Sequence, residues 1–321
     1  MPSPPAAHAL VSVVTPSYNQ ETFLEETIRS VLEQDYEPIE YVVVDDGSTD
    51  GSIAIVERYA DRLAWWTGQE NRGQVPAINL GFAHTTGEYM AYLNSDDTLL
   101  PGAVARMAGE LDSHPELLLV YGDARYTDER SQVTGYLPSR EFDVAAMVRS
   151  ADNHVVQPST LWRREAWERF GPFDECGWYF FDFEFFLQFP PERVRRIPEP
   201  LSTYRIHPAA KSTGAFATRL ARDHARLADG FFAGDRLPEA ARGVVDQGRS
   251  SAYLLGAEFA YEALDLSHAR RYTLRGLRLH PSHAASPRWL SLAAKSLLPR
   301  PLVARLRERR RARDRGGEGS R

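Results

Sequence analysis

The sequence predicts an α/β fold, in which a mostly parallel central sheet is flanked by helices and followed by a C-terminal helical appendage. Short runs rich in Val, Tyr and Trp alternate with segments whose apolar residues recur every three or four positions, as strands and crossover helices require. The strand-like runs end in polar loops that contain Gly, Asp or Asn. Beyond residue 215 the chain becomes rich in Ala, Leu and Arg with helical periodicity, which predicts the appendage.

The first part of the chain supplies four strands in succession. They are predicted at residues 10–14, 41–44, 63–66 and 89–93, with helices near residues 21–34, 52–60 and 75–83 between them. The loops that follow the strands are residues 15–19, 45–50, 71–73 and 95–97. Parallel strands place their carboxyl ends at one edge of a sheet, so we expect these loops to converge where α/β proteins bind ligands.

The regular alternation loosens after Pro101. We predict a helix at residues 101–111, a strand at 117–121, short strands up to 137, an extended segment at 155–162, a helix at 163–170 and a strand at 195–206. These elements complete the sheet. Helices are predicted at residues 219–232, 238–264 and 268–279. We therefore expect a main domain over residues 1–215, a helical appendage over 216–285 and a basic amphipathic tail over 286–321.

Composition excludes several classes of protein. Hydrophobic residues at 43% and charged residues at 26% are ordinary globular values, which argues against disorder. The single cysteine, Cys176, excludes an internal disulfide and fits a reducing compartment. Because no long apolar run is present, we expect no transmembrane helix.

The basic charge is concentrated at the end of the chain. Residues 288–321 contain 11 Lys or Arg against 3 Asp or Glu, although the whole chain has a net charge of −6. Five apolar residues there fall on one helical face: Trp289, Leu290, Ala293, Leu297 and Leu298. This pattern predicts contact with an anionic membrane surface, and the alternative is a packed helix followed by a solvated Arg run. The acidic body argues against nucleic acid as the main partner.

Two adjacent carboxylates, Asp96 and Asp97, follow the strongly apolar strand at residues 89–93. Neighbouring carboxylates repel each other unless a positive group is held beside them. Mg²⁺ or Mn²⁺ needs only one or two protein carboxylates when substrate phosphates and water complete its coordination. The pair therefore predicts a divalent cation site, although an isolated Ser-Asp-Asp is also typical of a solvated turn that caps a helix.

Several motifs then occur in a fixed order. They are Val-Ser-Val-Val-Thr-Pro-Ser-Tyr-Asn at residues 11–19, Val-Val-Asp-Asp-Gly-Ser-Thr-Asp-Gly-Ser at 43–52, Glu-Asn-Arg-Gly at 70–73, Gly-Glu-Tyr at 87–89 leading into Ser-Asp-Asp at 95–97, Gln-Pro-Ser-Thr at 157–160, Gly-Pro-Phe-Asp-Glu at 171–175 and Tyr-Arg-Ile-His-Pro at 204–208. Together they resemble a family 2 glycosyltransferase of the GT-A type, a Rossmann-like fold. The resemblance covers roughly the first two thirds of the chain and implies that residues 1–215 form the catalytic domain.

The resemblance implies roles for the residues at the rim. Thr15, Pro16 and Tyr18 would line the base pocket, and Asp46 would accept a hydrogen bond from a uracil ring. The alternative for Asp46 is a turn or helix cap. In the same way, Arg72 would approach the diphosphate, Asp96 would bind the ribose or sugar, and Asp97 and His207 would hold the Mg²⁺ or Mn²⁺.

An inverting sugar transfer also needs a base that takes the proton of the acceptor hydroxyl. Asp182 matches the base of the family, and Glu184 falls at the second acidic position of the same motif. The sequence departs from the family pattern at Phe181, where an acid commonly precedes the base. That departure leaves Asp182 and Glu184 both open as the base. The alternative is a helix start whose acids complement the helix dipole while its aromatic residues fill the core.

These features together predict a metal-dependent inverting glycosyltransferase. It would move a sugar from a nucleotide diphosphate donor, a UDP-sugar, to a hydroxyl of a glycan or lipid-linked acceptor in cell-envelope polysaccharide synthesis. We expect a cytoplasmic protein that associates peripherally with the inner face of the membrane. The alternative is a catalytically inactive nucleotide-sugar binding protein. A nucleotidyltransferase is disfavoured because no Gly-rich phosphate loop follows the first strand.

Overall fold

The computed structural model describes residues 8–211 and 216–303. The chain divides into two compact units, of which the first is Met1–Asp143 with Asn153–Ala210 and the second is Val144–Asp152 with Lys211–Arg321. The domain boundaries expected at residues 215 and 285 stay predictions. The Arg-rich end of the predicted tail, residues 304–321, lies outside the described residues.

The first unit is built on one sheet that has eight strands in the described part of the chain. The strands are β1 (Val11–Ser17), β2 (Ile39–Asp45), β3 (Trp65–Gly68), β4 (Tyr89–Tyr92), β5 (Leu119–Thr127), β6 (Val133–Leu137), β7 (Thr160–Arg163) and β8 (Val194–Arg205). Their order is β3-β2-β1-β4-β7-β5-β6, and β8 pairs with β5 beside this path. The pairs β1–β2, β1–β4, β2–β3 and β5–β8 are parallel, whereas β7 pairs antiparallel with β4 and β5, and β6 with β5.

Helices occur in both units. In chain order they are α1 (Leu24–Leu32), α2 (Ser52–Arg58), α3 (Gln74–Ala83), α4 (Ala103–Ser113), α5 (Val144–Ser150), α6 (Arg164–Phe170), α7 (Phe181–Phe186), α8 (Ala217–Arg226), α9 (Glu239–Arg242), α10 (Val245–Glu262), α11 (Leu266–Leu279) and α12 (Pro287–Ser296). Of these, α5 and α8 to α12 belong to the second unit. The predicted fold class, a mostly parallel sheet with flanking helices and C-terminal helices, is confirmed.

Strand β1 is longer than the sequence predicts. The expected turn at residues 15–19 begins only at Tyr18, because Thr15, Pro16 and Ser17 continue the parallel pairing with β2. The pairing of β1 with β4 ends at Val14. Pro16 therefore lies where one side of β1 has lost its strand partner, a position that tolerates a residue without a backbone N–H.

The core of the first unit lies against both faces of the sheet. On one face α1 and α4 bury apolar side chains against β1 and β2, among them Ile28, Val104 and Val43. On the other face α3 approaches β1 closely, since a Cβ added to Gly81 would lie 2.4 Å from Val14 Cγ1. The absence of a side chain at Gly81 thus sets the distance between α3 and the strand that leads into the rim.

The second unit packs around α10, whose small residues are buried. A Cβ on Gly276 of α11 would lie 2.8 Å from Leu254 Cγ, so α11 packs closely on α10. Helix α5, which the sequence pattern did not predict, joins this unit because a Cβ on Gly248 would lie 2.4 Å from the Val148 carbonyl oxygen. The predicted single helix at residues 238–264 is two helices, α9 and α10. Among the described helices, none has the length and apolar character needed to cross a bilayer.

Candidate active site

The loops after β1 and β2 meet at the carboxyl edge of the sheet. Asn19 donates its backbone N–H to Ser48 Oγ at 2.8 Å, and its side-chain Oδ1 accepts from Thr49 N at 2.8 Å. Asn19 has a φ of 53°, a left-handed conformation that Asn adopts more readily than most residues. These contacts confirm that the two loops converge on one rim.

Asp46 joins the β2 loop to the loop after β3. Its Oδ1 accepts hydrogen bonds from Gln69 Nε2 at 2.8 Å and Arg72 N at 2.9 Å, and its Oδ2 accepts from Gly73 N at 2.7 Å. Gly47 beside it has a φ of +84°, and a Cβ there would lie 2.9 Å from a backbone nitrogen of the facing loop. The carboxylate is 2% exposed. These contacts are structural, and the predicted hydrogen bond to uracil stays a prediction.

The neighbouring acids of the β2 loop are engaged locally. Asp45 accepts from Gly47 N at 3.1 Å and from the backbone and hydroxyl of Ser48, which is an Asx turn. Asp50 accepts from Ser52 N at 3.0 Å and from Glu21 N at 3.0 Å. Both side chains therefore fix the backbone of the rim.

The three residues predicted to line the base pocket differ in exposure. Thr15 is fully buried and accepts a hydrogen bond from the Tyr41 hydroxyl at 2.9 Å. Pro16 is buried within β1. Tyr18 is 46% exposed, so its ring is available to stack on a ligand. The side chain of Arg72 is also exposed.

Asp97 is a buried carboxylate at the end of β4. It is 3% exposed, its Oδ1 accepts from Arg205 N at 2.9 Å, and its carbonyl oxygen accepts from Thr27 Oγ1 at 2.8 Å. Burial and then the charge of Asp96 raise the pKa of Asp97 well above its usual range, although hydrogen bonds from Arg205 and Asn94 act against the rise. The site therefore holds a carboxylate that would gain from a nearby positive charge.

Asp96 and His207 face each other beside Asp97. The His207 Nε2 and Asp96 Oδ2 atoms are 3.0 Å apart, and the His207 ring packs against Phe23 at a centroid distance of 4.9 Å. His207, predicted to hold the metal with Asp97, is thus paired with Asp96, the residue predicted for the sugar and the chain neighbour of Asp97. In residues 8–211 and 216–303, no group of three or more His, Cys, Asp or Glu side chains is arranged to hold a metal ion.

This partial set fits a hard divalent cation. Mg²⁺ and Mn²⁺ are commonly held in nucleotide sites by one or two carboxylates, while phosphate oxygens and water fill the other positions. Asp96 and Asp97 offer carboxylate oxygens, and Asp97 is buried beside a like charge. His207 offers a borderline nitrogen ligand.

The two acids of α7 differ in environment. Asp182 is half-buried, and its Oδ1 accepts from Phe183 N at 2.7 Å, whereas Glu184 is only 2% exposed. Phe181, where the family pattern has an acid, is buried against Tyr92 at a centroid distance of 5.9 Å. Asp182 is therefore the more accessible of the two carboxylates.

The phenol of Tyr92 relates Asp182 to the β4 carboxylates. Burial raises the pKa of Tyr92 well above its usual value, and the charges of Asp182 and Asp97 raise it further. Both carboxylates are thus within electrostatic range of one buried ring, which is 2% exposed. Phe181, the chain neighbour of Asp182, packs on the Tyr92 ring at a centroid distance of 5.9 Å, and Tyr92 is the last residue of β4. The helix of the candidate base therefore packs on the strand that leads to the candidate metal carboxylate.

Sequence reasoning missed the amide side chains beneath this site. Gln74 Nε2 donates to Asn94 Oδ1 at 2.6 Å, Asn94 Nδ2 donates to Gln157 Oε1 at 3.3 Å, and Gln157 Nε2 donates to the Tyr92 carbonyl at 2.8 Å. Gln157 is the first residue of the Gln-Pro-Ser-Thr motif at residues 157–160, and that motif is the sequence feature that could have indicated its role. The chain of amides connects α3, β4 and the segment before β7.

A family model for glycosyl transferase family 2 matches residues 12–182. The chain belongs to this family. Both the resemblance and the predicted enzyme class are thereby confirmed. The matched range includes every predicted site residue except Glu184 and His207.

Individual relatives agree with this assignment. An uncharacterized glycosyltransferase of Nostoc sp. is 30% identical over 214 residues, which are 62% of this chain and 65% of the relative. The putative teichuronic acid biosynthesis glycosyltransferase TuaG of Bacillus subtilis is 42% identical over 91 residues, which are 27% of this chain and 36% of TuaG. The chain therefore spans less than two thirds of the length of these two curated relatives.

Solved structures show the same fold. TarS 1-349 of S. aureus in complex with UDP-GlcNAc has a TM-score of 0.58 at 19% identity, covering 93% of this chain and 87% of that one. The mannosyltransferase PcManGT of Pyrobaculum calidifontis, in complex with GDP-Man and Mn²⁺, has a TM-score of 0.56 at 21% identity, covering 94% of this chain and 87% of PcManGT. At these identities the likeness concerns the fold alone.

Proposed function

We propose that this member of glycosyl transferase family 2 is an inverting glycosyltransferase. It transfers a sugar from a nucleoside diphosphate donor, a UDP-sugar, to a hydroxyl of a glycan or lipid-linked acceptor. The main support is that α7, which carries Asp182, packs through Phe181 on Tyr92 at the carboxyl end of β4, the strand that leads to Asp97. The complexes of TarS with UDP-GlcNAc and of PcManGT with GDP-Man and Mn²⁺ support a nucleotide-sugar donor and a divalent metal.

The donor lies along the rim in this proposal. Tyr18 stacks on the base. Asp46 accepts from the base with the Oδ2 lone pair that its three hydrogen bonds to residues 69–73 do not use. Arg72 pairs with the diphosphate, because its exposed guanidinium can form two parallel hydrogen bonds to phosphate oxygens. Asp96 binds the ribose or sugar.

In this proposal Asp97 and His207 would hold the divalent metal beside the diphosphate of the donor. The cation, when bound, spreads the charge of the departing diphosphate. Asp182 accepts the proton of the acceptor hydroxyl as the new bond to the anomeric carbon forms. The bond from that carbon to the diphosphate breaks, and its electron pair leaves with the nucleotide. Half-buried Asp182 suits this role better than Glu184, which is 2% exposed.

Measuring donor turnover tests the proposal. UDP- and GDP-sugars are supplied with Mn²⁺ to the parent, Asp182→Asn and the matched control Glu184→Gln, and nucleotide binding is measured in parallel. We expect Asp182→Asn to lower turnover about 100- to 10,000-fold with nucleotide affinity retained. Glu184→Gln should keep most of the parent turnover. Binding without turnover in the parent would instead support the inactive binding protein.

The protein is proposed to act at an anionic membrane surface, which it contacts through its C-terminal segment. Leu290 of α12 is 52% exposed, and Leu297, the residue that follows the helix, is 71% exposed. Their spacing of seven residues places them on the same side of the helix axis. Lys295 and Arg300 lie in the same stretch, and the basic residues of 304–321 follow. An exposed apolar face with basic neighbours suits the surface of a membrane that contains anionic lipid. The similarity to TuaG, a putative teichuronic acid biosynthesis glycosyltransferase, supports a role in cell-envelope polysaccharide synthesis.

Vesicle flotation tests the membrane proposal. The full chain should float with vesicles that contain phosphatidylglycerol and remain unbound with phosphatidylcholine alone. Changing both Leu290 and Leu297 to Ser should abolish flotation. Val133→Ser, which removes a 60% exposed apolar side chain from β6, should not. Equal flotation of the parent and the double variant would contradict this role of α12.

A further inference from the structure

Arg205, the last residue of β8, has a buried guanidinium in a dense set of contacts. Its side chain is 1% exposed. Nε donates to the Asp96 carbonyl oxygen at 2.8 Å, and Nη1 donates to the Asp128 carbonyl oxygen at 3.0 Å and to Ser131 Oγ at 2.9 Å. Nη2 donates to Glu26 Oε2 at 2.7 Å. The side chain therefore joins β8 to α1, to the turn after β5 and to the loop after β4.

The backbone around Arg205 reaches the candidate metal groups directly. Its own N–H donates to Asp97 Oδ1 at 2.9 Å. His207, two residues further on, pairs with Asp96 at 3.0 Å. The Phe23 ring contacts both groups, since it lies 4.7 Å from the Arg205 guanidinium carbon and 4.9 Å from the His207 ring. The two proposed metal residues, Asp97 and His207, and their neighbour Asp96 are thus held relative to one arginine.

The geometry specifically requires a guanidinium. Three of its nitrogens donate in different directions within one plane, and lysine has a single nitrogen that cannot reproduce this fork. The ion pair is asymmetric, because the Glu26 side chain is 47% exposed whereas Arg205 is buried. Loss of Glu26 would leave the buried guanidinium hydrogen-bonded to two backbone carbonyls and a hydroxyl, without the carboxylate that accepts from it. Removing one partner of a buried ion pair is costly and favours local rearrangement.

We propose that Arg205 is a positioning residue for the divalent cation site. It fixes the Asp97 carboxylate and the Asp96–His207 pair in the orientation that binds the cation, and it does not itself touch substrate. This inference rests on the metal-assisted reaction proposed above. Residues that orient metal ligands commonly change metal affinity when they are replaced, with nucleotide recognition elsewhere left intact.

Metal-dependent binding distinguishes this role from general stability. UDP affinity is measured by calorimetry in EDTA and across a Mn²⁺ titration for the parent, Arg205→Lys, Glu26→Gln and the control Glu25→Gln. Glu25 lies in the same turn of α1 as Glu26 and its side chain is 49% exposed. The control Glu25→Gln therefore removes an exposed ion pair, the one with Arg58 at 2.8 Å. We expect Arg205→Lys to raise the Mn²⁺ concentration that gives half of the maximal increase in UDP affinity, by about 10- to 100-fold.

The other measurements decide between explanations. For Arg205→Lys, the UDP affinity in EDTA should stay within about twofold of the parent. Glu26→Gln should also raise the Mn²⁺ concentration that is required. Glu25→Gln should match the parent in both measurements. A parent-like Mn²⁺ response in folded Arg205→Lys overturns the inference. If that variant does not fold, the response of Glu26→Gln decides in the same way. Absence of any Mn²⁺ response in the parent overturns the metal-assisted reaction itself, together with the role of Arg205.

Discussion

Replacing Asp97 with Asn should stabilise the metal-free protein while it removes the response to metal. In the native state the carboxylate is 3% exposed beside Asp96, and burial with that charge raises its pKa well above the usual range. An acid whose pKa is raised by folding costs stability at every pH above its unfolded value. Asn removes the charge, and its side-chain oxygen can still accept from Arg205 N.

The size of the gain follows from the burial. Hydrogen bonds from Arg205 and Asn94 compensate the burial of Asp97 only in part, and a buried group left without full compensation typically costs about 1 to 3 kcal/mol. For a unit of this size, each kcal/mol changes the melting temperature by about 2 to 4 °C. In the parent, Mn²⁺ at about 100 times its dissociation constant should add about 2.7 kcal/mol. The Asn variant should lose that increment.

Thermal melts in EDTA and in Mn²⁺, at pH 5 and pH 8, measure both effects. The advantage of Asp97→Asn over the parent should grow from pH 5 towards pH 8. Between the unfolded and the native pKa of Asp97, the native state keeps a proton that the unfolded state releases, so a rise in pH favours unfolding of the parent. Asp112→Asn is a matched control, since that carboxylate of α4 accepts from the Tyr89 hydroxyl at 2.6 Å away from the rim. An Asp97→Asn variant that is less stable than the parent at pH 8 in EDTA would refute the reasoning from the buried charge.

Three further changes have defined outcomes. Burial lowers the pKa of His224 to about 4 from its usual 6.5. The free energy of unfolding should therefore fall by about 3 kcal/mol as the pH drops from 6.5 towards 4. Urea titrations of His224→Gln should show a weaker dependence of that free energy on pH. Gly81→Ala should destabilise the chain by about 1 to 3 kcal/mol in thermal melts, because the added Cβ would overlap with Val14. Its control is Gly109→Ala, where the space is open, and that change should be neutral or stabilising by up to about 1 kcal/mol. Tyr18→Ala should cost about 1 to 3 kcal/mol of UDP affinity by calorimetry if its exposed ring stacks on the base, and unchanged affinity would exclude stacking.

The parallel half of the fold was predictable because its signals are local. Strand, helix and loop follow one another along the chain from Val11 to Asp97, and the right-handed crossover rule leaves few ways to connect them. Only the exact ends differ, as at Pro16, because strand ends depend on which neighbouring strand is still present. Partners of this kind cannot be recognised from the pattern of one segment.

The later part of the fold depends on distant pairing. Strand β8 lies parallel to β5, and α5 belongs to the second unit although it lies between segments of the first. Neither relation has a signature within a window of ten or fifteen residues. Burial likewise separates Asp182 from Glu184, two acids that occupy similar positions in the sequence motif.

Among the site residues, motif spacing identified the acids but not what orients them. Arg205 was visible only as part of Tyr-Arg-Ile-His-Pro, and its contacts reach residues up to 179 positions away. Asn94 and Gln74 have no sequence signature, because amides are common in surface loops. Their roles became apparent only when the fold placed them beneath Asp97 and Tyr92.

The hydrogen bonds that join the rim loops constrain how donor preference can be altered. Asp46 ties its own loop to residues 69–73, and Asn19 ties the first loop to the second. A segment transplanted alone from a relative would therefore arrive without the partners that shape it. An attempt to change the nucleotide selectivity should therefore exchange all three loops together, residues 15–19, 45–50 and 69–73. In natural relatives, a substitution in one of these loops should be accompanied by compensating substitutions in the other two.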